Sequence, residues 1–160
     1  MKDSAEEFLA HHAYPVEPLV LADGRVVDGW RVAAFLGRGG NGEVYRVIGE
    51  RPAALKVLVR DTESARARFL GEASLLARIA SPSFPQFLAR GEVDGRPYLV
   101  MELLEPRTLP SSDAAIADFL LRLCDGVAAL HTMGYVHRDI KPGNILWRVG
   151  RAVSDRKSVV

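Results

Sequence analysis

Two hydrophobic periods divide the chain. From Trp30 the apolar positions follow the strand period of two: Trp30-Arg31-Val32-Ala33-Ala34-Phe35-Leu36 predicts one strand, Val44-Tyr45-Arg46-Val47 a second, and Ala53 to Val59 a third. The period then changes. Phe69, Leu70, Ala73, Leu76, Ala77 and Ala80 recur at spacings of three and four, which predicts a helix over 66–80. Ser81-Pro82-Ser83-Phe84-Pro85 stops it. Gln86 to Val93 and Pro97 to Glu102 read as a hairpin closed by Asp94-Gly95, a dipeptide that tolerates the positive φ of a tight turn. A second helix is predicted over 113–133, with Ser112 as its N-cap, Gly134 at its end and Ile116, Phe119, Leu120, Leu123, Val127 and Leu130 as its apolar stripe. Ile145-Leu146-Trp147 reads as one more short strand. Ahead of all this, residues 1–29 carry only a weak helical stretch, Glu6 to His11, followed by Pro15 and Pro18, and are expected to be a flexible leader.

Composition adds limits more than identity. The 160 residues suit one domain, and 48% hydrophobic content supplies a core. Basic and acidic residues number 21 and 20, a balance that offers no electrostatic footprint for nucleic acid or an anionic membrane. One cysteine, Cys124, cannot build an internal disulfide; lying in a helical apolar pattern, it reads as a small core residue in a reducing compartment. The longest apolar run near the second hairpin strand, Tyr98 to Met101, is too short to span a bilayer. No basic-then-apolar segment opens the chain, so the expected location is the cytoplasm. His11 and His12 lack Cys or carboxylate companions at metal-ligand spacing and read as solvated.

Three stretches carry candidate chemistry. Gly37-Arg38-Gly39-Gly40-Asn41-Gly42-Glu43-Val44 fits G-x-G-x-x-G-x-V, in which glycines let backbone N–H groups approach phosphate oxygens where a Cβ would intrude. A dinucleotide fold uses a related motif, but a helix follows its third glycine, and here a strand follows. Lys56 lies in the third strand, and Glu72, off the apolar stripe of the first helix, follows it sixteen positions later. Tyr135-Val136-His137-Arg138-Asp139-Ile140-Lys141-Pro142-Gly143-Asn144-Ile145-Leu146 sets an acid, a cation and an amide at fixed offsets before a strand.

Together these resemble the protein kinase superfamily over Trp30 to about Val153, with H-R-D-x-x-x-x-N as the catalytic loop and the lysine two residues after Asp139 pointing to the serine/threonine class. The resemblance implies an α+β fold: a five-stranded antiparallel N-lobe sheet with one helix over 30–101, a hinge over 102–106, and the first helix and catalytic loop of a helical C-lobe over 107–153. It implies ATP and Mg²⁺ as cofactors and a protein serine or threonine as phosphate acceptor. Asp139 would receive the substrate hydroxyl's proton, Lys141 would set a positive charge beside the moving phosphoryl group, and Asn144 would offer Mg²⁺ an oxygen, whose usual distance is about 2.1 Å. Arg138 would pair with a phosphorylated activation loop, and His137 would pack within the catalytic loop. Gly37, Gly39 and Gly42 would cover the phosphates, with Lys56, held by Glu72, on the α- and β-phosphates. Val44 and Ala54 would cover the adenine, Met101 would guard the back of its pocket, and the backbone of Glu102 and Leu104 would pair with the base.

The sequence departs from the family in two places. Glu105-Pro106-Arg107-Thr108-Leu109-Pro110 runs almost directly into the second helix, where kinases place a further short helix. Asp-Phe-Gly, which carries the principal Mg²⁺ ligand in kinases, does not occur; Asp155 stands eleven positions after Asn144 but is followed by Arg156-Lys157, so it is expected not to be that ligand. Residues 154–160 are accordingly read as a non-native tail, resembling a translated sequencing adapter, on a kinase domain interrupted early. Two other functions fit the same fold: an ATP-binding pseudokinase scaffold, and a small-molecule phosphotransferase of the aminoglycoside kind.

Overall fold

A computed structural model describes residues 19–40, 42–106, 111–148 and 157–159. The expected leader helix with His11 and His12, and Asp155, lie outside them. Six antiparallel strands form the main sheet in the order β1-β2-β3-β4-β6-β5: β1 Val26–Val27, β2 Trp30–Gly39, β3 Gly42–Ile48, β4 Pro52–Val57, β5 Phe87–Val93 and β6 Arg96–Glu102. Helix α1, Glu63–Arg78, lies between β4 and β5 in sequence, and α2, Asp113–Thr132, follows the sheet. A smaller sheet joins β7 Leu104–Pro106, β8 Ile145–Arg148 and β9 Lys157–Val159.

The five-stranded expectation is corrected to six. Asp28 and Gly29 both take positive φ, 46° and 86°, and close a two-residue hairpin that pairs Val27 with Trp30 and Val26 with Arg31. The leader reading is corrected over its last third for the same reason. Leu21 is fully buried and Val27 nearly so, both within the cluster formed by Val32, Tyr45, Val47, Leu55, Val57, Tyr98 and Val100. Those seven side chains on one sheet face need a cover, and residues 19–29 supply part of it.

The sheet's other face takes α1. Phe69 and Ala73 from the helix meet Leu58 and Leu99 in a second buried cluster, flanked by Leu76, Phe87 and Met101. The helix begins three residues before the expected start because the Thr62 hydroxyl accepts the Ala65 N–H at 3.2 Å, a cap that leaves Glu63 in the first turn where the helix dipole favours an acid. Ser112 caps α2 in the same way through Ala115 N–H at 3.4 Å. At the other end of α2, Gly134 (φ 79°) lets its own N–H reach His131 O and that of Tyr135 reach Leu130 O, the paired bonds of a Schellman stop.

Helix α2 meets the linker after α1 through a glycine. A Cβ on Gly126 would stand 2.8 Å from Ser83 Cβ, and Ser83 Oγ donates to Arg122 O at 3.1 Å. Phe119, Gly126 and Leu130 are buried, whereas Ile116 and Leu120 of the expected stripe, with Leu121, stay exposed. Cys124, expected in the core, is exposed too, because the buried arc of α2 is narrower than the apolar spacing suggests.

Two buried tyrosines make stability depend on alkali. Burial first, then the carboxylates that accept their hydroxyls, Glu43 for Tyr45 and Asp28 for Tyr98, raise both phenols to about 12. A raised pKa means stability complete below the unfolded value of 10.0 and lost as pH climbs toward 12, on the order of 2 kcal/mol for each phenol. The thermal midpoint should therefore hold to about pH 9.5 and then fall. Tyr98→Phe should start lower and fall less; equal slopes in the two proteins would remove the tyrosines as the cause.

Candidate active site

Strand register decides which predicted residues share a face. Val44 stands opposite Lys56 and Lys56 opposite Leu99, while Ala54 stands opposite Met101. In an antiparallel sheet opposite residues point the same way, as do residues two apart on one strand, so Val44, Ala54, Lys56, Leu99 and Met101 all belong to the α1 face. Tyr45, Leu55 and Val57 belong to the other.

Helix α1 brings Glu72 to that face. Lys56 Nζ and Glu72 Oε1 are 2.5 Å apart, with the two side chains 18% and 38% exposed, so the ion pair is partly shielded from water. The ammonium also lies 5.8 Å from the Phe69 ring centroid, within cation–π range. Phe69, one helical turn before Glu72, thus offers its ring to the lysine's ammonium; the sequence marks it only as part of the apolar stripe.

The glycine-rich hairpin is β2 running into β3, with Gly37 opposite Val44, Arg38 opposite Glu43 and Gly39 opposite Gly42. A Cβ on Gly42 would collide with the Val57 carbonyl, so the hairpin base sits directly on the end of β4, and only glycine permits it. Glu43 is fully buried, a position the motif does not specify. Its signal was nonetheless present: alternation places Glu43 on the same face as Tyr45 and Val47.

The predicted hinge, 102–106, begins at the last residue of β6. Glu102 N–H donates to Gln86 O at 2.8 Å and the Glu102 carboxylate accepts Gln86 N–H at 3.1 Å, which ties the first hinge residue to the start of β5. Leu103 and Leu104 are buried. Leu104 then pairs with Arg148, Glu105 with Trp147 and Pro106 with Leu146, so the strand leaving the predicted catalytic loop is hydrogen-bonded to the hinge.

Within that loop the acid, cation and amide meet. Lys141 Nζ is 2.9 Å from Asp139 Oδ2, and Asn144 Nδ2 donates both to Asp139 Oδ2 at 2.9 Å and to Asp139 O at 2.8 Å. Asp139 N–H turns back to His137 Nδ1 at 3.3 Å. The hydrogen bonds from Lys141 and Asn144, with the charge of Lys141 and a smaller effect of His137, hold the Asp139 carboxyl below the usual carboxylate range despite the opposing desolvation. Arg138 adopts φ 63°, the left-handed region that a side chain rarely enters, at the turn immediately before Asp139. Pro142 to Asn144 form one 3₁₀ turn that leads into β8.

Among the described residues no group of three or more His, Cys, Asp or Glu side chains is arranged to hold a metal ion. Asp139 and Asn144 do carry hard oxygens of the kind Mg²⁺ takes, and the Asn144 amide donates through its nitrogen to Asp139. No helix among the described residues is long and apolar enough to cross a membrane.

The sequence profile of the protein kinase domain matches residues 30–153. The chain belongs to the protein kinase family. Members of this family use ATP and Mg²⁺. Among curated kinases, the chain is 36% identical over 143 residues to serine/threonine-protein kinase pkn2 of Myxococcus xanthus, covering 79% of this chain and 17% of that protein. It is 36% identical over 129 residues to PknL of Mycobacterium tuberculosis (72% and 32%) and 39% identical over 149 residues to the DNA damage-responsive kinase RqkA of Deinococcus radiodurans (82% and 21%). The chain thus spans between about a sixth and a third of the length of these relatives. Among solved structures, the PknI kinase domain of M. tuberculosis superposes with a TM-score of 0.66 at 26% identity, over 88% of this chain and 62% of that one.

Proposed function

We propose that the protein is a serine/threonine protein kinase that transfers the γ-phosphate of ATP to a protein hydroxyl. The observation that carries the reading is the cluster of Asp139, Lys141 and Asn144 on a loop whose exit strand is bonded to the hinge. Relatives named as serine/threonine kinases support the acceptor class.

In this reading Gly37, Gly39 and Gly42 form the cover of the triphosphate, Lys56 neutralises its α- and β-phosphates, and Glu72 keeps the lysine aimed. Val44, Ala54 and Met101, on one sheet face, line the adenine site, and the backbone of Glu102 and Leu104 pairs with the base. Two donors converge on Asp139 Oδ2, so the substrate hydroxyl is received at Oδ1. As the hydroxyl oxygen bonds to the γ-phosphorus, the bond from that phosphorus to the bridging oxygen breaks, ADP leaves, and the proton passes to Asp139. Lys141 moves from its resting contact with Asp139 to the transferred phosphoryl oxygens. Asn144 would contribute one oxygen to Mg²⁺, which when bound neutralises charge on the phosphates.

The test uses the longest form of the protein that its source genome encodes. MgATP carrying a labelled γ-phosphate is supplied with a mixed serine, threonine and tyrosine peptide library. Label on serine or threonine is the expected result. Nucleotide binding without transfer would replace the reading with a scaffold, and transfer to an aminoglycoside but no peptide with a small-molecule phosphotransferase.

A further inference from the structure

Glu43 is a fully buried acid in the strand that leaves the phosphate loop, and its four donors come from three directions. Its Oε1 accepts Arg38 Nε at 2.8 Å and also Arg38 Nη2, forming an ion pair across the hairpin between the Gly37–Val44 and Gly39–Gly42 registers. Its Oε2 accepts Val20 N–H at 2.9 Å and the Tyr45 hydroxyl, while the Tyr45 oxygen accepts Leu21 N–H at 3.1 Å. One carboxylate therefore holds both strands of the loop and the segment that precedes the sheet. An acid withdrawn from water is retained only when such donors compensate it, and loss of its charge leaves the guanidinium with a weaker acceptor.

We propose that Glu43 is a positioning residue for the triphosphate: it locks the glycine hairpin so that the backbone of Gly39 and of Gly42 is presented to the phosphates at a fixed height. This deepens, and rests on, the ATP reading above. Glu43 lies on the opposite face from Val44, Ala54 and Lys56 and so does not touch the nucleotide. Its influence travels through Arg38, which stands between two of the loop glycines, and through Gly42, whose backbone abuts Val57.

Phosphate and base affinities separate this role from general support of the fold. The same longest encoded form is titrated by calorimetry with a non-hydrolysable magnesium ATP analogue and, separately, with adenosine. Glu43→Gln should weaken the analogue about tenfold and leave adenosine within about twofold. Arg38→Met, which removes the loop-side partner but leaves Val20 and Tyr45 on the carboxylate, should do the same to a smaller degree and serves if the first variant does not fold. Equal loss of both ligands, or loss of neither, would overturn the proposal while leaving the kinase reading standing. A native chain that binds neither ligand would overturn both.

Discussion

Replacing Asp139 with Asn should slow phosphate transfer by about 10²- to 10⁴-fold while ATP affinity stays within about twofold. The two side chains are close in shape, so the loop's geometry survives: Asn144 still reaches the backbone carbonyl of residue 139. What is lost is the charge that pairs with Lys141 at 2.9 Å and an oxygen able to take a proton. The direction of the carboxyl's shift gives a second readout. A carboxyl held below the usual range is ionised through the whole working range, so the native rate should show no acid limb from this group between about pH 8 and pH 5. A variant that keeps more than a tenth of the native rate would exclude Asp139 as the proton acceptor.

Lys56→Met should be nearly as severe, about 10²- to 10³-fold in transfer rate, by analogy with the loss of one preorganised electrostatic contact. Methionine preserves an apolar stem against Phe69 and Leu99, so the sheet should stay intact. The charge it removes leaves Glu72 without its partner at 2.5 Å. Glu72→Gln should cost less, because the lysine remains present although poorly aimed. The double variant should be no worse than Lys56→Met alone, since the glutamate's only proposed task is to orient the lysine. If the two effects multiply instead, Glu72 acts elsewhere, and rate measurements on the four proteins decide it.

Local signals explain what could be read in advance. Asp94-Gly95 reads as a turn because alternating strands flank it; Asp28-Gly29, the same dipeptide and likewise with both φ positive, is obscured by Pro15 and Pro18, which make the preceding stretch read as an unstructured leader. The Lys56 and Glu72 pair was legible because one strand and one helix fix their positions by simple periods. Glu43 was legible in principle from alternation, yet a charged residue in a loop motif invites the assumption that it faces water. Gly126 carried a faint signal, a glycine inside a strong helix, whose cause is the close approach of Ser83. The pairing of Leu104 with Arg148 had none: two short segments far apart in sequence, one containing a proline, show no period that announces their partnership.

That pairing bears on which changes of length the chain can absorb. Glu102, at the end of β6, and Asp139 are joined through a three-residue ladder, Leu104 to Arg148 through Pro106 to Leu146. A single codon inserted between Asp139 and Ile145 must either bulge out of the turn or slide β8 by one position, and a one-position slide inverts the facing of every side chain in the strand. Deletions there would be punished the same way, whereas extra residues at the Asp94-Gly95 tip would disturb only exposed contacts, Arg25 with Asp94 and Arg66 with the Gly95 carbonyl, and leave the strand facings unchanged.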